Sequence, residues 1–274
     1  MSIIAFSSDS YQKGGEIAVK TAEALGYKYL DRKILRSVAA KHDIPEEKLI
    51  KALDETPSFM GMSSKAWEQY LAYIQEAVLG MLLDDNVVCH GLAAHLYLLG
   101  VSHVLKVSLL EGRGARAGMI AKQARVSQEK AKKIVRRKEN QRKRWSLEAF
   151  GRDETDSSFY DMSINISQID PEEAVSMLVT ATGYRKFKPM TYSMECMRDR
   201  ELIGRVHVAL LKGFPNARVQ SRGGTVVVEI KALKREKSRK VSAVKELVGK
   251  IPGVHHVEVH IIKDIFREAA ESGR

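Results

Sequence analysis

A run of small and polar residues near the start of the chain has the composition of an anion-binding loop. The apolar residues 3–6 lead into the polar residues 7–13, and Gly14 and Gly15 precede an apolar pattern of helical spacing that ends at Gly26. Backbone N–H groups at the start of a helix point towards an anion, and the helix dipole favours negative charge there. The order of strand, loop and helix therefore predicts a phosphate-binding loop, although the full pattern G-x-x-x-x-G-K-[ST] is not present.

A basic segment at 115–145 is the second candidate for contact with phosphate. Its basic side chains are Lys122, Arg125, Lys130, Lys132, Lys133, Arg136, Arg137, Lys138, Arg142, Lys143 and Arg144. A helix of this composition is either a positively charged lid or nucleic-acid surface, or a solvated face whose charge Glu129 and Glu139 reduce. No aromatic residue interrupts the basic ones before Trp145, which argues against stacking of single strands. We therefore do not expect a nucleic-acid partner.

The histidines are weaker candidates for a functional role. His90 and His95 flank Gly91 after an apolar run, where a ring either meets a phosphate or fills the end of a strand. His256 and His260 alternate on one face of the last predicted strand. Because no Cys or carboxylate spacing accompanies them, we interpret them as surface residues and expect no metal site.

Composition and charge restrict the class of protein. The chain has 274 residues and a formal net charge of +11, which favours an anionic partner such as a nucleotide, a nucleic acid or an acidic membrane surface. Its two cysteines, Cys89 and Cys196, are far apart, as expected of reduced thiols in a cytosol. We see no signal peptide and no apolar run long enough to span a bilayer, so we expect a cytoplasmic protein.

The elements that would position these residues alternate between strands and helices. Strands are predicted at 3–6, 27–30, 87–89, 104–109 and 160–166, with helical periodicity between them and again from Pro171. This alternation is typical of an α/β fold with a mainly parallel sheet.

The last third of the chain has a different pattern. Residues 183–197 break the periodicity; they are followed by a predicted helix at 200–211, two strands joined at Gly223 and Gly224, a helix at 242–250 and a strand at 254–262. This order predicts a small α+β (α-β-β-α-β) domain with both helices on one face of the sheet. We expect a first domain at 1–185, a linker at 186–198, a second domain at 199–268 and a tail at 269–274.

Several short sequences in the first part of the chain resemble one family in both content and order. They are SSDSYQKGGEIA at 7–18, AEALGY at 22–27, DRKI at 31–34, VCHGLAA at 88–94, the lid-like segment 116–145 and YDMSIN at 160–165. Together they resemble the cytidylate kinase-like family, whose members are P-loop proteins related to nucleoside monophosphate kinases. The resemblance covers about the first two thirds of the chain.

The resemblance implies a P-loop-type parallel sheet with flanking helices that binds ATP with Mg²⁺ and transfers phosphate to CMP or a related nucleoside monophosphate. Such transfer needs mainly positioning and positive charge. The residues that would bind the ATP phosphates are Ser8, Asp9, Ser10, Tyr11, Gln12, Lys13, Gly14, Gly15 and Glu16. Asp31, Arg32 and Gly91 would bind the acceptor nucleotide. Arg116, Arg142 and Lys13 would be catalytic, since guanidinium groups clamp phosphate oxygens.

The chain departs from the family pattern at several of these positions. Tyr11 stands where a glycine is usual, Lys13 replaces a small residue, and Glu16 replaces a hydroxyl that would hold magnesium. Leu92 lies where the family has an arginine. Such a degenerate Walker A motif supports an alternative, in which the protein is a pseudokinase that senses nucleotide or binds partners without transferring phosphate.

The C-terminal segment resembles the BON domain family. The matching sequences are DRELI at 199–203, VHVAL at 206–210, 219–230 around the Gly223-Gly224 turn, and IPGV at 251–254 leading to VEV at 257–259. The resemblance implies contact with phospholipid or with partner proteins. We therefore expect this module to bind a protein partner or an anionic surface.

Overall fold

A computed structural model describes residues 2–59 and 61–263. The chain forms two compact units, Met1–Ser193 and Met194–Arg274. The predicted tail at 269–274, and the last residues of the domain predicted at 199–268, lie outside the described residues. The predicted boundaries at 185 and 199 remain predictions.

The first unit is built on a parallel five-stranded sheet. Its strands are β1 (Ile3–Ser8), β2 (Lys28–Leu30), β3 (Val87–His90), β4 (Val104–Leu110) and β5 (Met162–Asn165), in the order β2-β3-β1-β4-β5. Its helices are α1 (Tyr11–Leu25), α2 (Ile34–His42), α3 (Glu46–Asp54), α4 (Ser64–Leu82), α5 (Ala94–Tyr97), α6 (Arg113–Ala124), α7 (Gln128–Phe150) and α8 (Pro171–Thr182). The P-loop-type α/β fold predicted from the sequence is confirmed.

Strand β1 lies at the centre of this sheet because it is apolar on both faces. Residues 3–6 are almost completely buried, and β1 pairs with β3 on one side and β4 on the other. Parallel strands place their carboxyl ends at one edge of the sheet. The residues that follow β1, β3 and β4 are therefore brought together, although they are far apart in the sequence.

Helix α1 begins earlier than the sequence predicts, and this corrects the expected loop. Only Asp9 and Ser10 separate β1 from α1, so Gly14 and Gly15 lie inside the helix. The cause is the pairing with β4, which extends past Ser8: the N–H of Asp9 donates to the carbonyl of Leu109 at 3.2 Å. Helical hydrogen bonding starts directly afterwards, where the N–H of Gly14 donates to the carbonyl of Ser10 at 2.9 Å.

The basic segment forms two helices instead of one. Helix α6 ends at Ala124, and the next residue, Arg125, adopts a left-handed conformation with φ of +50°. Helix α7 then begins after Ser127, whose hydroxyl accepts a hydrogen bond from the N–H of Lys130. This side-chain cap satisfies one of the free N–H groups at the helix start and restarts the helix at that position.

The segment between the two units is more ordered than its irregular sequence suggests. A 3₁₀ turn at Arg185–Phe187 buries Phe187 in the core of the first unit. Helix α9 spans Thr191–Leu210. The sequence predicts a start at Arg200, so the helix begins nine residues earlier than expected. The apolar spacing of its first turns is weak, which is why it was missed.

The second unit has the predicted α-β-β-α-β order. Helix α9 is followed by β6 (Arg218–Arg222), β7 (Thr225–Ala232), α10 (Lys237–Gly249) and β8 (His256–Lys263), with the strands in the order β6-β7-β8. Strands β6 and β7 are antiparallel, while β7 and β8 are parallel. Apolar residues of both helices and of the strands share one core, which confirms this part of the prediction.

Among the described residues, no helix has both the length and the apolar character that crossing a bilayer requires. Cys89 is buried and Cys196 is partly buried, and neither forms a disulfide.

Candidate functional site

A cleft lies where β1, β3 and β4 end. One half has a volume of about 530 Å³ and the other about 360 Å³. Ser8, Asp9, Lys138, Arg142 and Glu154 line both halves, so the two are parts of one cleft. A volume of several hundred cubic ångströms is ordinary for a small-molecule site.

The predicted site residues divide between this cleft and its surroundings. Those that line it are Ser8, Asp9, Tyr11, Arg32, Gly91, Arg116 and Arg142. Those that do not are Ser10, Gln12, Lys13, Gly14, Gly15, Glu16 and Asp31. The structure therefore brings the predicted acceptor-site and lid arginines into one cleft, but not the second half of the predicted phosphate loop.

Gly14 is pressed against the pair formed by Ser8 and His90. The Oγ of Ser8 lies 2.8 Å from Nε2 of His90, whose side chain is completely buried. A Cβ atom at position 14 would lie 2.5 Å from Ser8 and 3.1 Å from His90. The glycine thus allows helix α1 to pack closely on β1 and β3. Burial lowers the pKa of His90 to about 4, so its ring is neutral near pH 7.

Tyr11 closes one side of the cleft. Its ring packs on His90 with the centroids 4.8 Å apart, and the guanidinium carbon of Arg32 lies 5.0 Å from its centroid. Gly91 has a φ of +73°, and a Cβ there would be 2.4 Å from the Tyr11 ring. The bulky residue at position 11 therefore occupies space beside the Gly91 turn.

Arg32 is held in place by hydrogen bonds to two other residues that line the same half of the cleft. Its Nε donates to the carbonyl of Gly91 at 3.2 Å, and its two amino groups donate to the carboxylate of Asp54 at 2.9 and 2.6 Å. Asp31 instead accepts a hydrogen bond from the N–H of Lys33 and forms a local turn. Arg32 thus faces the cleft, whereas Asp31 stabilises the start of α2.

Arg142 lies where the two halves of the cleft meet. Its Nε donates to Glu154 at 2.8 Å, and its Nη2 donates to the hydroxyl of Ser7. Glu154 also lies 3.2 Å from Nε2 of the buried His95. Burial opposes ionisation of Glu154, but contact with His95 and the charge of Arg142 lower its pKa to about 2. The carboxylate is therefore ionised and holds the guanidinium group at the cleft.

Arg116 is buried in the second half of the cleft. It contacts Glu139 through Nη2, lies 3.4 Å from the carboxylate of Asp9, and donates through Nε to the carbonyl of Glu111 at 3.1 Å. Asp9 accepts a hydrogen bond from the N–H of Glu111 at 2.7 Å. Burial raises the pKa of Asp9 despite this hydrogen bond and the nearby arginine.

Lys13 points away from the cleft and pairs with Glu111. Its Nζ lies 2.5 Å from Oε1 of Glu111, a carboxylate whose side chain is only 1% exposed. Gln12 and Glu16 are exposed beside it on α1, and Ser10 is buried. The structure therefore gives Lys13 a pairing role and places Glu16 at the surface.

Sequence reasoning missed the acidic partners of the cleft arginines. Asp54 pairs with Arg32, Glu154 pairs with Arg142, and Glu139 pairs with both Arg113 and Arg116. Lys138 lines both halves of the cleft. Glu154 falls in a polar segment that the sequence predicts as a loop, where nothing marks it as buried. Gln141 of α7 also donates to the carbonyl of Asp54 at 2.8 Å, which joins α7 to α3 across the cleft.

The β1–α1 connection does not form a backbone cradle for a triphosphate. It has two residues, and the space beside Gly14 is filled by Ser8 and His90. Within residues 2–59 and 61–263, no group of three or more His, Cys, Asp or Glu side chains could hold a metal ion. The β1–α1 connection therefore offers a triphosphate no open glycine loop.

Comparison with known proteins identifies one family. A sequence model described as the cytidylate kinase-like family matches residues 3–168, which is more than half of the chain. No curated protein matches the sequence. The fold is similar to a solved structure titled "Crystal structure of uncharacterized protein from Eubacterium ventriosum ATCC 27560", with 18% identity and a TM-score of 0.48, over 68% of this chain and 100% of that chain.

Proposed function

We propose that this chain, which belongs to the cytidylate kinase-like family, binds a nucleoside monophosphate in the cleft and does not transfer phosphate from ATP. CMP or a related monophosphate is the ligand expected from the family resemblance. The protein would then act as a regulatory pseudokinase that responds to the nucleotide.

The observation that carries this proposal is the two-residue connection between β1 and α1. A triphosphate needs several backbone N–H groups of an open loop around its outer phosphates. Here Gly14 and Gly15 donate within a helix, and Gly14 packs on Ser8. A single phosphate makes a smaller demand, which two side-chain cations at the cleft can meet.

Arg142 and Lys138 are the cations best placed for that phosphate. Arg142 is held at the junction of the two halves by Glu154 and Ser7. Lys138 lines both halves, and no ion pair engages it within the described part of the chain. A fixed guanidinium and a flexible ammonium group together give a phosphate both directional hydrogen bonds and charge.

The second candidate is the active kinase, which would use ATP with Mg²⁺ and phosphorylate CMP or a related monophosphate. Its support is that α6 and α7 bring Arg116 and Arg142 to the same cleft. Arg116, however, already contacts the carboxylates of Glu139 and Asp9. A transferring phosphate would have to compete with these two carboxylates for it.

Calorimetric titration with CMP and with ATP–Mg²⁺, followed by a coupled assay of ADP formation on the same sample, separates these candidates. We expect binding of the monophosphate and no ADP above the rate without protein. ADP formation that requires CMP and is lost in Arg142→Lys would overturn the pseudokinase proposal and establish the kinase. Absence of binding by any nucleoside monophosphate would overturn both.

The second unit is proposed to be a BON-like module at 199–268 that binds a protein partner or an anionic surface. Its support is the α-β-β-α-β order and the short Gly223-Gly224 turn. Pull-down with the chain truncated before 199 as the control tests whether this module carries the partner interaction.

A further inference from the structure

The nine basic side chains of helix α7 lie on several faces of the helix, and only some of them line the cleft. Lys138 and Arg142 face the cleft, while Ala131, Val135 and Trp145 are buried beneath the same side. The opposite face carries Lys130, Lys133, Arg137 and Arg144, all exposed. We call these four residues the outer stripe.

The outer stripe is a line of positive charge along one face of α7. Its members are separated by three, four and seven residues, which places them on one face of a helix with 3.6 residues per turn. They extend over about 21 Å at 1.5 Å per residue. The nearest positions between Arg137 and Arg144 are Asn140 and Gln141, which line the cleft and carry no charge, so no acidic residue interrupts the line.

Among the residues that the structure describes, no acidic partner neutralises the charge of the outer stripe. Within the described residues, no ion pair engages Lys130, Lys133, Arg137 or Arg144. Two of the three acidic residues of α7 form ion pairs with residues outside the stripe. Glu129 pairs with Lys132, and Glu139 pairs with Arg113 and Arg116. The remaining one, Glu148, lies one turn beyond the end of the stripe. Helix α7 has nine basic and three acidic side chains in all. Its net charge is thus +6, more than half of the chain's net charge of +11.

We infer that the outer stripe binds the phosphate backbone of a nucleic-acid duplex. A duplex presents about one negative charge per 1.7 Å of its axis, so several phosphates lie along the length of the stripe. The lack of aromatic residues, on which the sequence-based prediction of no nucleic-acid partner rests, argues against single strands but not against a duplex, whose phosphates are bound without stacking. The stripe also has no apolar residue to insert into a bilayer, which an interfacial helix needs. Binding through phosphates alone does not depend on base sequence.

Salt dependence gives the proposal a quantitative form. Each phosphate neutralised contributes about −0.9 to the slope of log K against log salt concentration. Contacts by all four members of the stripe therefore predict a slope of about −3.6, or a loss of affinity of about 100-fold between 50 and 200 mM salt.

The test is fluorescence anisotropy of the full chain with labelled duplex DNA and duplex RNA, measured over that salt range. The variant carries Lys130→Gln, Lys133→Gln, Arg137→Gln and Arg144→Gln. The matched control carries Lys33→Gln, Lys48→Gln, Lys51→Gln and Lys65→Gln, which removes the same charge from exposed positions of α2, α3, α4 and their ends. Far-UV circular dichroism verifies that both are folded, and glutamine preserves helix propensity.

We expect the stripe variant to bind at least tenfold more weakly at low salt and to lose most of the slope, while the control keeps both. Equal affinity for duplex DNA and duplex RNA would show that the stripe recognises only the phosphates. A higher affinity for one of them would identify that duplex as the natural ligand. Equal loss in the control would show that net charge alone drives binding and would overturn the proposal. So would wild-type protein that binds neither duplex but binds vesicles containing anionic lipid. Binding of CMP, measured on the same variant, reports separately on the cleft.

Discussion

Trp67 and Trp145 donate their indole N–H groups to one acceptor, the carbonyl of Ala52, at 2.9 and 2.8 Å. Ala52 lies in the last turn of α3, where carbonyls have no partner within the helix. Trp67 comes from α4 and Trp145 from α7, and both are nearly completely buried. The two side chains thus cap α3 and attach the basic helix to the side of the cleft that holds Asp54.

The shared acceptor predicts that the two tryptophans are energetically coupled. In Trp67→Phe or Trp145→Phe, the remaining indole still satisfies the carbonyl, so each single change should cost about 1–2 kcal/mol of unfolding free energy. In the double variant the buried carbonyl has no donor, which should add about 1–3 kcal/mol beyond the sum. Urea unfolding followed by circular dichroism measures this cycle. Additive costs would contradict the shared capping role.

Gly14→Ala should destabilise the protein although alanine favours helices. The new Cβ would lie 2.5 Å from Ser8, which requires β1 and α1 to move apart and should cost about 1–3 kcal/mol. The matched control is Gly118→Ala in α6, where a Cβ meets no atom within 4 Å. That change should stabilise by up to about 1 kcal/mol. Equal effects of the two changes on the urea midpoint would mean that the contact with Ser8 is not tight.

Stability should fall in mild acid because of His90. Its pKa is about 4 in the folded protein and about 6.5 when unfolded, so the unfolded state binds more protons between these values. The free energy of unfolding is therefore highest above pH 6.5 and falls by about 3 kcal/mol as the pH drops to 4.

His90→Gln removes this proton uptake and keeps a side chain that can donate to Ser8. We expect its urea midpoint to change less between pH 7 and pH 5 than that of the wild type. His256→Gln, at an exposed position of β8, should retain the wild-type response. A wild-type response in His90→Gln would assign the acid sensitivity to other groups, such as the buried His95, whose pKa is also lowered by burial.

Lys138→Gln should weaken binding of a nucleoside monophosphate by about tenfold, because one charge-assisted contact with phosphate contributes roughly 1.5 kcal/mol. Lys132→Gln is the control on the same helix, since Lys132 pairs with Glu129 away from the cleft. Calorimetric titration with CMP compares the two variants. Equal affinities would place the phosphate elsewhere in the cleft.

Lys13 should matter for stability through Glu111. Lys13→Met leaves a buried carboxylate without its cation and should cost about 1–3 kcal/mol. Adding Glu111→Gln removes the buried charge and should restore much of that loss. Thermal unfolding of the two variants tests the pairing, and a double variant less stable than Lys13→Met would argue against it.

Local sequence patterns determined the alternation of strands and helices, the parallel sheet and the α-β-β-α-β order of the second unit. The spacing of apolar residues within a few turns or a few strand positions is a local property. It therefore predicts a helix or a strand wherever a segment buries one face. Arg32, Gly91, Arg116 and Arg142 were predicted from the resemblance of short sequence motifs to the cytidylate kinase-like family, and not from this periodicity.

Only the tertiary structure shows which partners these residues contact and in which elements they lie. The start of α1 depends on pairing between β1 and β4, which moves Gly14 from a loop into a helix against Ser8. The partners of the arginines come from distant positions such as Asp54 and Glu154. Hydrogen bonds and ion pairs between such positions follow from three-dimensional proximity, which the spacing of residues along the chain does not encode.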